Sequence, residues 1–230
     1  MVKYVASAIG GLLLFVGIAF GAHQLVNTTP RDDAATVVMV KANGGHGTGF
    51  YIGNNEFITA GHVASMAQDG KMSLVSERDR DNPTEAVVVW TDKTRDVALL
   101  RVDPTVHTVT LPAVKLSCEQ PREFPVGTEV HSIGYPLGLG LIEVWGDVSS
   151  PTHKDYGAVP QFTANVSIAP GNSGGPLFDN QGYIVGMADS LPLLPMPFGV
   201  LSFPTLSQFV PRSEICAAIA DHTPTVQASK

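Results

Sequence analysis

From Thr36 onward the chain alternates short apolar or every-other-residue apolar runs with polar, glycine-containing breaks. Six runs come first: TVVMVKA (36–42), GTGFYIG (47–53), EFITAGHV (56–63), KMSLVS (71–76), EAVVVWTD (85–92) and VALLRV (97–102). Clusters of Gly, Asn, Asp and Pro at 43–45, 53–55 and 79–83 separate them. That spacing predicts antiparallel strands of a sandwich or barrel. A polar, Pro-punctuated stretch, 103–125, interrupts the pattern, and six further runs come after it: EVHSIGYP (129–136), GLIEVWGDVSS (140–150), VPQFTANVS (159–167), GPLF (175–178), YIVGMA (183–188) and GVLSFP (199–204). The segment TLSQFVPRSEICAAIA predicts one helix with Pro211 near its start. The last ten residues, DHTPTVQASK, predict a frayed tail. The chain is therefore expected to be all-β, with two sets of about six strands, a short C-terminal helix and no solenoid repeat.

The N-terminus obeys another rule. Val5 to Ala22 is an apolar run without a charged residue, after a single Lys3. Its length is at the lower edge of a bilayer-spanning hydrophobic helix. It equally fits a secretory signal, with Ala19 and Gly21 as small residues before a cut. Either way the ensuing domain is expected to be exported or anchored by one N-terminal helix, with Lys3 on the cytoplasmic side. The polar segment Asn27–Asp33 detaches this run from the strand-rich domain. The expected organisation is a signal or anchor plus linker over 1–35, a folded domain over 36–220 (strand sets at about 36–110 and 120–210) and a tail over 221–230.

Composition narrows the partners. With 44% hydrophobic and 15% charged residues, the 230-residue chain can build a core. A net charge of −7 with no basic block argues against nucleic acid. Cys118 and Cys216 lack the spacing of a redox or zinc motif, so one disulfide and two buried thiols both remain open. There is no HExxH and no clustered His/Cys set, so no metal or cofactor is expected.

Candidate chemistry centres on APGNSGGPLFDNQGYIVGMA (169–188), where Ser173 lies among glycines. A serine there is commonly a turn residue. To act as a nucleophile it needs a base, and the base needs an orienting carboxylate. Of seven histidines, His23, His107, His153 and His222 sit in polar turns or near chain ends. His62 instead ends a β-run in ITAGHVAS. Asp96, in TRDVALLRV, immediately precedes an apolar strand, where it either caps a turn or holds an imidazole.

FITAGHV, RDVALLRV and PGNSGGPL occur in the order His, Asp, Ser, and together they resemble the signatures of the chymotrypsin/trypsin superfamily. PGNSGGPLFDNQGYIVGM and GTGFYIG are most similar to its HtrA (DegP)-type branch. The resemblance covers roughly 36–210. It implies two six-stranded antiparallel barrels with a cleft between them, His62 as general base, Asp96 as its orienter and Ser173 as nucleophile. The backbone N–H groups of Gly171 and Ser173 would form the oxyanion hole. It also implies that Ser167, six positions before the serine, lies at the base of the pocket for the residue preceding the cut. Val200, Leu201, Ser202 and Phe203 would wall that pocket, which would then suit small to medium apolar side chains of peptide or protein substrates. The digestive branch has Asp where this chain has Asn172, and no IVGG-like start precedes the first strand, so activation by N-terminal cleavage is not expected. HtrA-type proteins append PDZ domains; this chain ends at Lys230, and PDZ-dependent regulation is not expected.

Two rivals remain at this level. GNSGG also fits the nucleophile elbow of α/β-hydrolases, but that fold needs alternating helices and a histidine after the serine, and only His222 comes later in the chain. A protease-like barrel that has lost activity and serves as a membrane-tethered binding or scaffold module is the other alternative. Finally, SLPLLPMPFG (190–199) interrupts an apolar run with three prolines. It reads either as packing on its own barrel or as an apolar rim beside the cleft or a membrane or partner contact.

Overall fold

Asn43 and Gly44, both at positive φ, close a two-residue turn between the first two strands, and Asn54 and Asn55 do the same between the second and third. Paired positive φ values match the twist of antiparallel hairpins, so these polar breaks fix the register of the strands they join. The computed structural model describes residues 32–119, 124–153, 159–203 and 205–223, without the side chains of 193–195 and 200–202. The segment expected to be a signal peptide or anchor lies outside the described residues. Among the described residues, no helix is long and apolar enough to cross a membrane.

The first set of runs forms β1 (Val37–Ala42), β2 (Gly45–Gly53), β3 (Glu56–Ala60), the single helical turn α1 (Gly61–Ala64), β4 (Lys71–Ser76), β5 (Asp79–Asp92) and β6 (Val97–Arg101). They close into a barrel in the order β1-β2-β3-β6-β5-β4. The second set contains β7 (Glu129–Gly134), β8 (Ile142–Asp147), β9 (Phe162–Ala164), β10 (Pro176–Asp179) and β11 (Ile184–Ser190). A hairpin of β12 (Leu193–Met196) and β13 (Gly199–Ser202) comes next, then β14 (Ser207–Pro211) and α2 (Arg212–His222). The second sheet runs β8-β7-β10-β11-β14-β9 and curls until its outer strands meet at one bridge, Val148 to Ala164. The expected all-β fold of two six-stranded units is therefore present. One is closed, and the other is a curled half-barrel.

One strand differs from the sequence expectation. The run 199–204 does not complete the second unit; it pairs only with β12 in a separate hairpin. The sixth strand is β14, in a segment whose pattern suggests helix alone. Phe209 and Val210 are fully buried there, and Pro211, at extended φ and ψ, ends the strand and caps α2. The hairpin tip is exposed, with Phe198 fully so. At its tip, therefore, the Pro-punctuated segment does not pack on the barrel.

Two apolar clusters hold the domain. The larger fills the first barrel (Val38, Val40, Phe50, Ile58, Leu100) and continues through Ile133, Tyr135, Phe178 and Met187 of the second unit. The smaller, around Phe162, Leu177 and Phe209, lies inside the second. α2 is fastened back by two means. Arg95 bonds Asp92 (2.6 Å), Glu214 (3.2 Å) and Asp221 (3.0 Å). Burial pushes the Asp92 carboxyl up, but hydrogen bonds from Thr94 and Arg95 outweigh it and hold it down at about 2. In addition, Cys118 and Cys216 form a disulfide across a separation of 98 residues, resolving the open alternatives. Cross-linking so long a loop restricts the unfolded chain by about 4–5 kcal/mol in the entropic account, with about 2–5 kcal/mol commonly realised. Calorimetry of Cys118→Ser/Cys216→Ser should therefore show a Tm lower by about 5–15 °C. An unchanged Tm would mean that the bridge does not stabilise α2.

Candidate active site

The strand register of the first barrel assembles the first half of the site. Ala60, the last residue of β3, pairs with Val97, the first of β6. The residues just beyond these ends, His62 on α1 and Asp96 before β6, are therefore forced together. Asp96 sits at φ 54°, a left-handed conformation that Asp tolerates better than most residues. From there its carbonyl accepts the Gly61 N–H at 2.9 Å and its Oδ1 accepts the His62 N–H at 2.8 Å. Its Oδ2 lies 2.7 Å from His62 Nδ1. This bond is the main influence on the imidazole and holds its pKa above the ordinary value against the opposing effect of burial. Among the described residues, the second nitrogen, Nε2, has no hydrogen-bond partner.

The second half comes from the turn between β9 and β10. Thr48 of β2, fully buried, locks that turn onto the first barrel. Its N–H donates to the Ser173 carbonyl at 2.8 Å, its hydroxyl to the Gly171 carbonyl at 2.7 Å, and its own carbonyl accepts from the Thr59 hydroxyl at 2.7 Å. Gly171 sits at φ 103°, and a Cβ there would lie 2.4 Å from the Tyr135 carbonyl and 2.5 Å from His46 Nε2. Only glycine fits. Among the described residues, neither the Gly171 nor the Ser173 N–H has a hydrogen-bond partner, whereas the intervening Asn172 N–H bonds Ala169 at 3.0 Å.

Ser173 is half-buried, and its hydroxyl donates to the backbone carbonyl of Asp189 at 3.2 Å, not to His62. Asp189, in β11, brings a second carboxyl to the site: Oδ1 is 3.8 Å from His62 Nδ1 and the side chain is only 10% exposed. Burial first, then the charge of Asp96 and a hydrogen bond with it, raise Asp189 to about 7. Sequence reasoning passed over Asp189, Thr48 and Thr59. Thr48 could have been noticed as the lone polar residue of GTGF. Asp189, at the end of an apolar strand, gave the matching signal that Asp96 gave at the start of one.

The expected pocket is less defined. Ser167 is exposed, in the extended segment after β9. Val200, Leu201 and Ser202 lie on β13, with side chains outside the described set, and Phe203 is 37% exposed just beyond. The structure does not bring these residues together with the Ser173 turn through any described contact.

A closed six-stranded barrel joined to a curled six-stranded sheet is the fold of trypsin-like peptidases, and comparison with known proteins bears this out. The trypsin-like peptidase domain family matches residues 47–187, more than half of the chain. The chain belongs to that family. It is 38% identical over 144 residues to a probable periplasmic serine endoprotease, DegP-like, of Pseudomonas putida, covering 61% of this chain and 28% of that protein. It is 30% identical over 170 residues to the chloroplastic Protease Do-like 1 of Arabidopsis thaliana, covering 71% and 37% respectively. The chain thus spans about a third of the length of these relatives. Among solved structures, the Rv3671c protease of M. tuberculosis in an inactive form superposes with a TM-score of 0.67 at 22% identity, over 84% of this chain and 91% of that one. The HtrA-type protease AlgW with a tripeptide gives 0.65 at 21%, over 82% and 60%. These likenesses establish the fold.

Proposed function

We propose that the protein is a serine endopeptidase working through His62, Asp96 and Ser173 and an acyl-enzyme. The observation that carries this reading is the His62–Asp96 pair at 2.7 Å beside a serine whose own turn presents two N–H groups without a partner among the described residues. In the reaction the Ser173 hydroxyl leaves the Asp189 carbonyl and turns to His62 Nε2. His62 takes its proton as Oγ attacks the peptide carbonyl, and Asp96 stabilises the imidazolium. The Gly171 and Ser173 N–H groups receive the developing oxyanion, a contribution of about 3–4 kcal/mol in related hydrolases. His62 then protonates the leaving amine, and water releases the acyl group. A fluorophosphonate probe tests the reading: it labels the wild type at Ser173 and leaves Ser173→Ala unlabelled. An unlabelled, correctly folded wild type would favour the inert scaffold instead.

The pH dependence has a defined sign. His62 acts as a base only when neutral, and its pKa is raised, chiefly by Asp96. Peptide hydrolysis should therefore rise with pH through a midpoint above the ordinary histidine value of about 6.5. Rates that fall on going from mildly acidic to neutral solution would contradict a histidine base.

For the substrate we infer cleavage after small to medium apolar residues such as Val, Ala, Leu or Met. Ser167 offers no carboxylate to a guanidinium, and burying an unpaired cation costs several kcal/mol. An apolar side chain gains about 1.5–3 kcal/mol on burial. Mass spectrometry of a digested peptide library checks this, and a dominant Arg or Lys before the cut would overturn it. Action outside the cytoplasm is supported by the periplasmic designation of the Pseudomonas relatives and by the Cys118–Cys216 disulfide. Peptide binding is supported by the tripeptide-bound AlgW structure.

A further inference from the structure

We propose that Asp189 is a positioning residue for the His62–Asp96 pair: in its acid form it donates a hydrogen bond that fixes Asp96, and in its ionised form it places a second negative charge beside the imidazole, giving the rate a second rise with pH. The inference rests on the reading of His62, Asp96 and Ser173 as the reacting groups.

The geometry carries it. Asp189 lies in β11, between the two halves of the site, and its backbone carbonyl accepts the Ser173 hydroxyl at 3.2 Å. One carboxylate oxygen, Oδ2, is occupied by neutral donors, the Gln161 amide and the Ser190 hydroxyl (3.4 Å). The other, Oδ1, faces the pair, 3.8 Å from His62 Nδ1. His62, Asp96 and Asp189 each place an atom within 4.8 Å of the others. The charged groups bearing on Asp189 are Asp96 and His62, and its other named partners, Ser190 and Gln161, are neutral.

Two carboxyls this close and this poorly solvated do not both ionise readily, so one keeps a proton and shares it with the other. Asp96 already accepts two N–H bonds from His62, one on each oxygen, and so stands as the acceptor of the two carboxyls. The shared proton therefore belongs on Asp189, in accord with its rise to about 7. When Asp189 loses that proton, the imidazolium formed during acylation gains a second anion at short range. The two groups titrate together, so the profile reports the cluster and not either residue alone.

Asp189→Asn separates the two roles, because the amide still donates to Asp96 but cannot ionise; Asp189→Ala removes both. With a chromogenic peptide, log kcat/KM of the wild type should climb in two steps. Asp189→Asn should climb once, to a plateau several-fold lower, with a midpoint no higher than that of the wild type, because an anion beside His62 has gone. Asp189→Ala should be slower at every pH, and Asp189→Asn should regain the acid-side rate. A readout apart from activity comes from linkage. A carboxyl whose pKa is raised by folding costs stability as pH climbs from its unfolded value toward its folded one. The Tm of Asp189→Asn relative to the wild type should therefore increase between about pH 4 and about pH 8. A constant ratio of rates at all pH values, or a Tm difference that does not move with pH, would overturn the proposal. If the Ser173→Ala variant retained activity, the underlying reading would fail instead, and the two failures are distinguishable.

Discussion

Ser173→Ala should lower kcat/KM for a peptide substrate by at least about 10³-fold while circular dichroism and Tm stay close to those of the wild type. The hydroxyl makes one described bond, to the Asp189 carbonyl, and is not part of either apolar cluster, so its loss leaves the packing alone. His62→Ala should fall by a similar factor, because it removes the imidazole that Asp96 holds at 2.7 Å. Asp96→Asn is the more informative replacement. It preserves shape, but it substitutes an amide for the carboxylate that accepts from His62 Nδ1 at 2.7 Å and so favours the wrong tautomer, a loss on the order of 10⁴ in comparable triads. On the proposed mechanism the three groups act as a unit, so the double variant Ser173→Ala/His62→Ala should be little slower than either single one. Strict additivity of the two losses would mean that they do not serve the same step.

Much of this arrangement is legible in the chain, and the reasons are local. Strand runs bounded by Asn-Gly and Asn-Asn turns declare their period, and the barrel register converts two motifs, AGHV and RDVALL, into a contact. What the pattern hides is decided by tertiary competition. SQFVP carries too few residues to announce a strand beside a helix signal, yet β11 offers it an unpaired edge and it becomes β14. GVLSFP reads as a strand of the second unit, but its partner is the Pro-punctuated segment next to it. Thr48 looks like an ordinary β residue until the Gly171 and Ser173 carbonyls converge on it. Asp189 reads as the polar end of a strand, and its chemistry exists only through the nearness of Asp96, 93 positions earlier in the chain.

Gly174, directly after Ser173, should not accept a side chain. Gly174 sits at φ 84°, where any L side chain costs about 1–2 kcal/mol of backbone strain. A Cβ there would also stand 2.2 Å from the Thr48 carbonyl oxygen, 2.4 Å from Thr59 Oγ1 and 2.8 Å from the Ala60 nitrogen. None of these is the free end of a flexible side chain. Thr48 and Thr59 bond each other at 2.7 Å, and Ala60 is the strand end that launches Gly61 and His62. Relief can come only by moving the Ser173 turn away from the first barrel, or by pushing the strand end that carries His62 in the opposite direction. Both separate Ser173 from His62, and on the proposed mechanism a displacement of about 1 Å costs about 10²-fold in rate. Gly174→Ala should therefore lose at least about 100-fold in kcat/KM together with several degrees of Tm. Gly70→Ala is the control: Gly70 has φ 75° but nothing within 4 Å of the added methyl, so it carries the backbone strain alone. Its Tm should drop modestly and its kcat/KM should hold. Equal losses in the two variants would show that strain at positive φ, and not the lock between Thr48, Thr59 and the serine turn, is what the glycine relieves.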